Sequence, residues 1–295
     1  MTNIGTCALC FETGELKESH IIPAFVWRWM KESSVTGYFR HGEKPNLRQQ
    51  DGYKIFLLCV ECEQKLSRWE NKFLKYVFSP LNNGIELERY GPWLLKFSVS
   101  VSWRVLLLFK QELDLYHFPE KLRSAADVAI ETWRQFLLDE RPHPDKFEQH
   151  MLPWPGLIGS HHDPEMPDNI NRYILRSVDI DAACSQDEAF VYVKMGNVFL
   201  IGFITMMHPN QWRDTKVHVQ SGLLHKKHWR LPAAFRNFVY YKARRAKKSQ
   251  EKISEHQRDR IDSDYRKKMD QFADSVMFKA MTQDSILYGE SSVDE

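Results

Sequence analysis

Apolar and polar positions fall into contrasting periods along the chain. From about residue 64, Leu66, Trp69, Phe73, Val77 and Phe78 recur at helical intervals, and Pro80 with the tract Leu81-Asn-Asn-Gly84 ends that helix. Residues 93 to 113 and 119 to 138 read as two further helices, the second with Pro119 in its first turn. Within the first of them Lys96 to Trp103 alternates apolar residues with serine, so a strand remains an alternative there. Residues 139 to 169, carrying several prolines and histidines, form a connection where a domain boundary can fall.

From 171 the pattern turns to β. The stretch from Asn171 to Cys184 reads as extended, and the apolar runs on either side of Gly196-Asn197 predict a hairpin. A third strand is expected over Lys216 to Gln220, and residues 232 to about 283 are helical and highly charged. The expected organisation is an α+β protein: a zinc-bearing module over 1–80, a helical region over 81–150, and an α+β domain over 151–295 with an antiparallel sheet and long helices.

Composition narrows the class without naming a function. The hydrophobic share of 43% over 295 residues is ample for a packed core, and a net charge of +2 neither demands nor excludes a polyanionic partner. No secretory signal opens the sequence. The longest apolar stretches are interrupted by polar residues short of the roughly 18 that a membrane span needs, so a cytoplasmic protein with no membrane partner is expected.

In a reducing compartment, closely spaced cysteines point to a metal. Cys7 and Cys10 form one Cys-x2-Cys pair and Cys59 and Cys62 a second, a spacing that lets each short turn present two thiolates to one tetrahedral zinc ion. The first pair precedes a Thr-Gly turn, as a knuckle does. The second follows the apolar run Ile55-Phe-Leu-Leu58 and opens the helix near Glu63. Knuckle, hairpin, strand and a helix carrying the last two ligands is the treble-clef order, and the long stretch between the pairs must form an insertion. Trp27, Trp29 and Trp69 are expected to supply the small core that such a module needs.

Between the pairs stands Glu18-Ser19-His20-Ile21-Ile22-Pro23. With the flanking Cys-x2-Cys pairs, this stretch resembles the zinc-stabilised branch of the HNH (ββα-metal) endonucleases, and the module also resembles a group of bacterial proteins sharing the Ser-His-Ile-Ile-Pro segment. The resemblance covers residues 5 to about 80. It implies metal-dependent hydrolysis of phosphodiester bonds in DNA, which would fit a role against foreign DNA, with His20 as general base and a catalytic Mg²⁺ or Mn²⁺ separate from the zinc. Glu18 and Glu63 are the carboxylates that can hold this second ion, and Asn46 and His41 are the remaining candidates if their loop folds back. The chain departs from the pattern in having Ser19 where the family usually has Asp, Glu63 where it often has His or Asn, and Lys54 near the usual Asn position. His20 can equally play a structural role against the knuckle, which leaves a non-catalytic zinc module for nucleic-acid or protein interaction as the alternative.

Other clusters carry less. His161-His162-Asp163 and His225 with His228 read as exposed polar faces, and Cys184 as an inert thiol. Lys242, Arg244, Arg245, Lys247 and Lys248 concentrate positive charge on one helix, either along a DNA backbone or on a solvated face paired with acids. DNA is the expected partner, and the C-terminal region is the place for a protein partner as the alternative.

Overall fold

The computed structural model describes residues 3–113, 115–160, 163–224 and 231–289. The chain opens with β1 (Ile4–Thr6), β2 (Thr13–Glu15), β3 (Lys17–His20), α1 (Ala24–Glu32), β4 (Phe39–Arg40), β5 (Arg48–Gln49) and β6 (Lys54–Leu58). Helix α2 (Val60–Phe73) runs through a π-helical turn, Leu74–Phe78, into α3 (Ser79–Asn82). Next come β7 (Arg89–Tyr90), α4 (Trp93–Leu113), α5 (Glu120–Leu137), β8 (Gln149–Pro153), α6 (Ile170–Arg176), β9 (Val178–Cys184), β10 (Ala189–Met195) and β11 (Val198–Thr205). A 3₁₀ turn at Pro209–Thr215, β12 (Gly222–Leu223), α7 (Ala233–Gln250), α8 (Glu255–Lys267), α9 (Met269–Asp274) and α10 (Val276–Tyr288) complete it. This is a mixed α+β architecture whose sheets are antiparallel throughout. Among the described residues no helix is long and apolar enough to cross a membrane.

Two compact units share the chain. One comprises Met1–Pro23, Tyr53–Pro155 and Val178–Arg230, and the other Ala24–Gly52, Gly156–Ser177 and Leu231–Glu295. The long insertion between the cysteine pairs thus belongs mostly to the second unit, while its two ends pair as β3 and β6 in the first.

In the first unit α4 is the central element. Leu94, Phe97, Val99, Val101, Trp103, Val105 and Leu106 are all fully buried, and so are Ser98, Ser100 and Ser102 between them. Burial on every side explains why the sequence alternates here like a strand while the backbone is helical. Ser98 and Ser100 return their hydroxyls to the carbonyls of Leu94 (2.8 Å) and Phe97 (2.7 Å), so no hydroxyl is stranded. The main sheet has the order β8-β11-β10-β9, and β10 and β11 form the expected hairpin with Gly196 at a φ of +56°.

Several expectations change on this sheet and elsewhere in the chain. The segment 171–184 is not wholly extended, because its first part is α6. The buried Asp284 carboxylate in α10 accepts from the backbone N–H groups of Asn171 (2.9 Å) and Arg172 (3.2 Å), capping α6 from more than a hundred residues away. Lys216 to Gln220 forms no strand; Lys216 makes a single bridge to His150 and Val217 donates to Gln149. The fourth strand is instead β8, inside the Pro-containing connection. At the start of α5, Pro119 is the N-cap and not a first-turn residue. Trp27 and Trp29 fall in the second unit, where Trp27 stacks on Phe39 with centroids 4.9 Å apart.

Strand β11 approaches α4 at Gly202, where a Cβ would stand 2.6 Å from Ser102 Oγ, 2.8 Å from Ser102 Cβ and 2.9 Å from Gln149 Nε2. Gly202→Ala is therefore expected to destabilise the fold by about 1–3 kcal/mol. Gly14→Ala, where nothing lies within 4 Å, should leave the thermal midpoint unchanged. Equal midpoints for both variants in thermal denaturation would contradict this packing.

Candidate metal centre

The first pair of cysteines sits in the tight turn between β1 and β2, whose strands pair from Ile4↔Glu15 to Thr6↔Thr13. Cys7 donates its N–H to Glu12 and accepts from Phe11, each at 2.9 Å, so the turn closes on itself. Phe11 takes a left-handed φ of +65°, a conformation that costs a non-glycine residue roughly 1–2 kcal/mol. Its ring lies under the Arg134 guanidinium (4.5 Å), and Arg134 also donates to the Leu9 carbonyl (3.1 Å) while Glu131 holds it through two oxygens at 2.8 Å. Helix α5 thereby clamps the knuckle.

The Ala8 N–H donates to Leu57 O (2.9 Å), which lays the knuckle across the end of β6, directly before the second pair. Cys59 is then the N-cap of α2 and Cys62 lies in its first turn. With β3 paired to β6 from Lys17↔Leu58 to His20↔Lys54, the order is knuckle, hairpin and ligand-bearing helix, the expected treble clef. Fully buried Leu9, Leu58 and Phe73, with Leu57 and Leu66, pack its interior.

The four Sγ atoms of Cys7, Cys10, Cys59 and Cys62 all lie within 4.8 Å of one another, with Cys10 and Cys59 3.8 Å apart. A tetrahedron with metal–sulfur bonds of about 2.3 Å has sulfur–sulfur edges of about 3.8 Å, so the spacing suits zinc. A disulfide needs about 2.05 Å, and all four thiols are free. Burial pushes the Cys59 thiol up to about 11, only partly offset by hydrogen bonds from Cys62, and burial also raises Cys62. For Cys7, burial acts upward but the N–H groups of Cys10, Cys59 and Leu9 together outweigh it and the net shift is downward. A metal ion occupying the cluster must therefore displace thiol protons and would replace costly buried polar hydrogens with metal bonds.

His20 ends β3, half-buried, and its carbonyl accepts from Arg104 (2.7 Å). Arg104, on α4 and almost fully buried, also grips Glu70 of α2 at 2.6 Å. Ser19 is buried and Glu18 is exposed, 3.9 Å from Lys54. Glu63, in the first turn of α2, has one buried carboxylate oxygen without a hydrogen-bond partner. His41 and Asn46 belong to the second unit and are engaged there: His41 Nδ1 accepts from the Glu43 N–H (3.1 Å), while Asn46 donates to Lys252 O (3.1 Å) and accepts from the Ser254 N–H (2.8 Å). Among the described residues, the four cysteines are the one group of three or more His, Cys, Asp and Glu side chains placed to share an ion.

The basic run lies on α7. Arg244 pairs with Glu165 (3.3 Å), Arg245 with Glu43 (3.6 Å) and Lys247 with Asp168 (2.8 Å), while Lys242 is buried and Lys248 exposed. The acids come from other segments and not from the residues that follow on the helix. Asp163 pairs with Arg236 (3.1 Å), whereas His161, His162, His225 and His228 lie outside the described residues. Sequence reasoning overlooked Arg104 and Arg134, the two guanidiniums that fix the module to α4 and α5. A lone arginine in the apolar run of α4 was the available signal for the first.

Replacing Cys62 by Ala removes one of four ligands and should abolish stoichiometric zinc binding. A loss of about 3–5 kcal/mol from the metal end would lower the melting temperature by about 10 °C. Elemental analysis with calorimetry checks both, and full zinc content with an unchanged midpoint would refute the four-thiol site. Compared with protein-family models, curated proteins and solved structures, the chain matches none.

Proposed function

We propose that the chain is a binding protein built around a structural zinc, in which the treble clef presents a surface and does no chemistry. The observation that carries this reading is where ligand-type side chains gather. Four thiols meet at the spacing of a closed tetrahedral site, whereas His41 and both amide atoms of Asn46 are already engaged by backbone groups of the second unit. A closed four-sulfur zinc leaves no open position for water or substrate, so the ion contributes folding energy and no Lewis acidity.

A second reading, an HNH-like endonuclease acting on DNA, is favoured by a specific pair of features. His20 stands at the end of β3 with its carbonyl fixed by Arg104, and Glu63 offers an unbonded carboxylate oxygen at the start of α2. In that reading His20 takes the proton from water, and Glu63 with Glu18 holds Mg²⁺ or Mn²⁺.

Supercoiled plasmid incubated with Mg²⁺, Mn²⁺ or no divalent ion separates the two. The binding reading predicts no nicking by the wild-type protein, with one zinc per chain retained. Metal-dependent nicking that disappears in a His20→Ala variant of unchanged zinc content would establish the nuclease.

A further inference from the structure

The solvent face of α2 differs from the basic run on α7. Its exposed positions recur at helical spacing, Glu61, Gln64, Ser67, Arg68, Asn71 and Lys72, and Lys75 in the π-helical turn that follows continues them. Two charges of the helix are already engaged elsewhere. Glu70 is held by Arg104 (2.6 Å), and Lys65 pairs with Asp139 (3.3 Å). Beyond the first turn this leaves Arg68, Lys72 and Lys75 at i, i+4 and i+7, none of which has a carboxylate partner among the described residues. Lys75 lies 5.1 Å over the ring of Tyr76, which is 50% exposed. On α7, by contrast, three of the five cations of the run are matched to acids.

We infer that this face of α2 is a contact surface for the phosphate backbone of nucleic acid. The inference rests on the binding-protein reading above and names the partner. Beyond the first turn, which carries Glu61, these cations form a positive stripe without carboxylate partners among the described residues, and the complementary surface is a regular polyanion. At about 1.5 Å per residue the three cations span about 10 Å, a length over which duplex DNA carries about six phosphates at one per about 1.7 Å. Gln64 and Asn71 add neutral donors suited to phosphate and sugar oxygens, and Tyr76 at the end of the stripe offers a ring on which a base can stack. An acidic protein fits less well, because protein interfaces centre on buried aromatic and aliphatic anchors, and the stripe itself exposes none between Val60 at one end and Tyr76 at the other. The zinc cluster bears on this surface directly: with Cys59 as N-cap and Cys62 in the first turn, it fixes the direction in which α2 leaves the hairpin.

The test is fluorescence anisotropy of a labelled DNA duplex across a salt series. It compares wild type with a triple variant, Arg68→Gln with Lys72→Gln and Lys75→Gln. A control of equal charge loss in the same unit carries Lys17→Gln, Lys110→Gln and Lys121→Gln, positions already facing Glu15, Asp127 and Asp187. Zinc content and melting temperature verify that both variants are folded. The α2 variant is expected to bind at least tenfold more weakly at low salt, with a plot of log K against log salt shallower by about 2.7, while the control stays close to wild type. Equal binding by the α2 variant and wild type would overturn the inference while leaving nucleic-acid binding to another face, and equal losses in the two variants would overturn it as generic charge. Displacement of the duplex by poly-glutamate at matched charge would overturn it in favour of an acidic protein. No binding by wild type would overturn it outright, whereas nicking in the plasmid assay would refute the binding-protein reading on its own.

Discussion

Four sulfur atoms meet where a short hairpin near the N-terminus touches the first turn of α2, and the geometry of this end of the first unit follows from that meeting. Cys7 and Cys10 belong to a turn too small to hold its shape by burial alone, with Phe11 in a left-handed conformation beside them. Cys59 and Cys62 stand at a helix start whose N-cap offers no side-chain acceptor. Neither half is a stable unit alone, because a three-residue strand pair buries little and leaves the thiols desolvated without partners. An ion shared by the four thiols would join them, and the direct N–H to carbonyl bond from Ala8 to Leu57 sets the distance at which joining is feasible.

Around that centre two arginines, Arg104 buried and Arg134 partly so, transmit the arrangement to the core. Arg134 reaches from α5 to the knuckle, and Arg104 reaches from α4 to the end of β3 and to α2. Guanidiniums withdrawn from water are tolerated only when their N–H groups are matched, and here the matches are carbonyls and carboxylates from different elements. The consequence for function is positional. His20 and the α2 face are held relative to one core helix, so a surface presented by α2 is rigid and not a mobile arm.

The sequence made some of this visible and hid the rest for identifiable reasons. Helices α2, α4 and α5 were legible because an amphipathic or continuously apolar period is a local property, and the β10–β11 hairpin was legible because Gly196 marks its turn. The α6 helix was hidden because its N-terminus is capped by Asp284, a partner distant in the chain. Strand β8 was masked by the prolines around it, since an edge strand tolerates Pro153 where a central one would not. The four zinc-type ligands could be read directly from two Cys-x2-Cys spacings. The charge run on α7 could not be judged from sequence, because its neutralising acids, Glu43, Glu165 and Asp168, come from elsewhere in the chain.

The account depends most directly on the occupancy and chemistry of the four-thiol cluster. X-ray absorption at the zinc edge, on protein purified without added metal and analysed for metal content, addresses both at once. One zinc per chain with four sulfur neighbours at about 2.3 Å and no nitrogen or oxygen neighbour is the predicted result. A shell containing nitrogen or oxygen, or a folded protein without any metal, would contradict the claim that this chain is organised around a closed structural zinc.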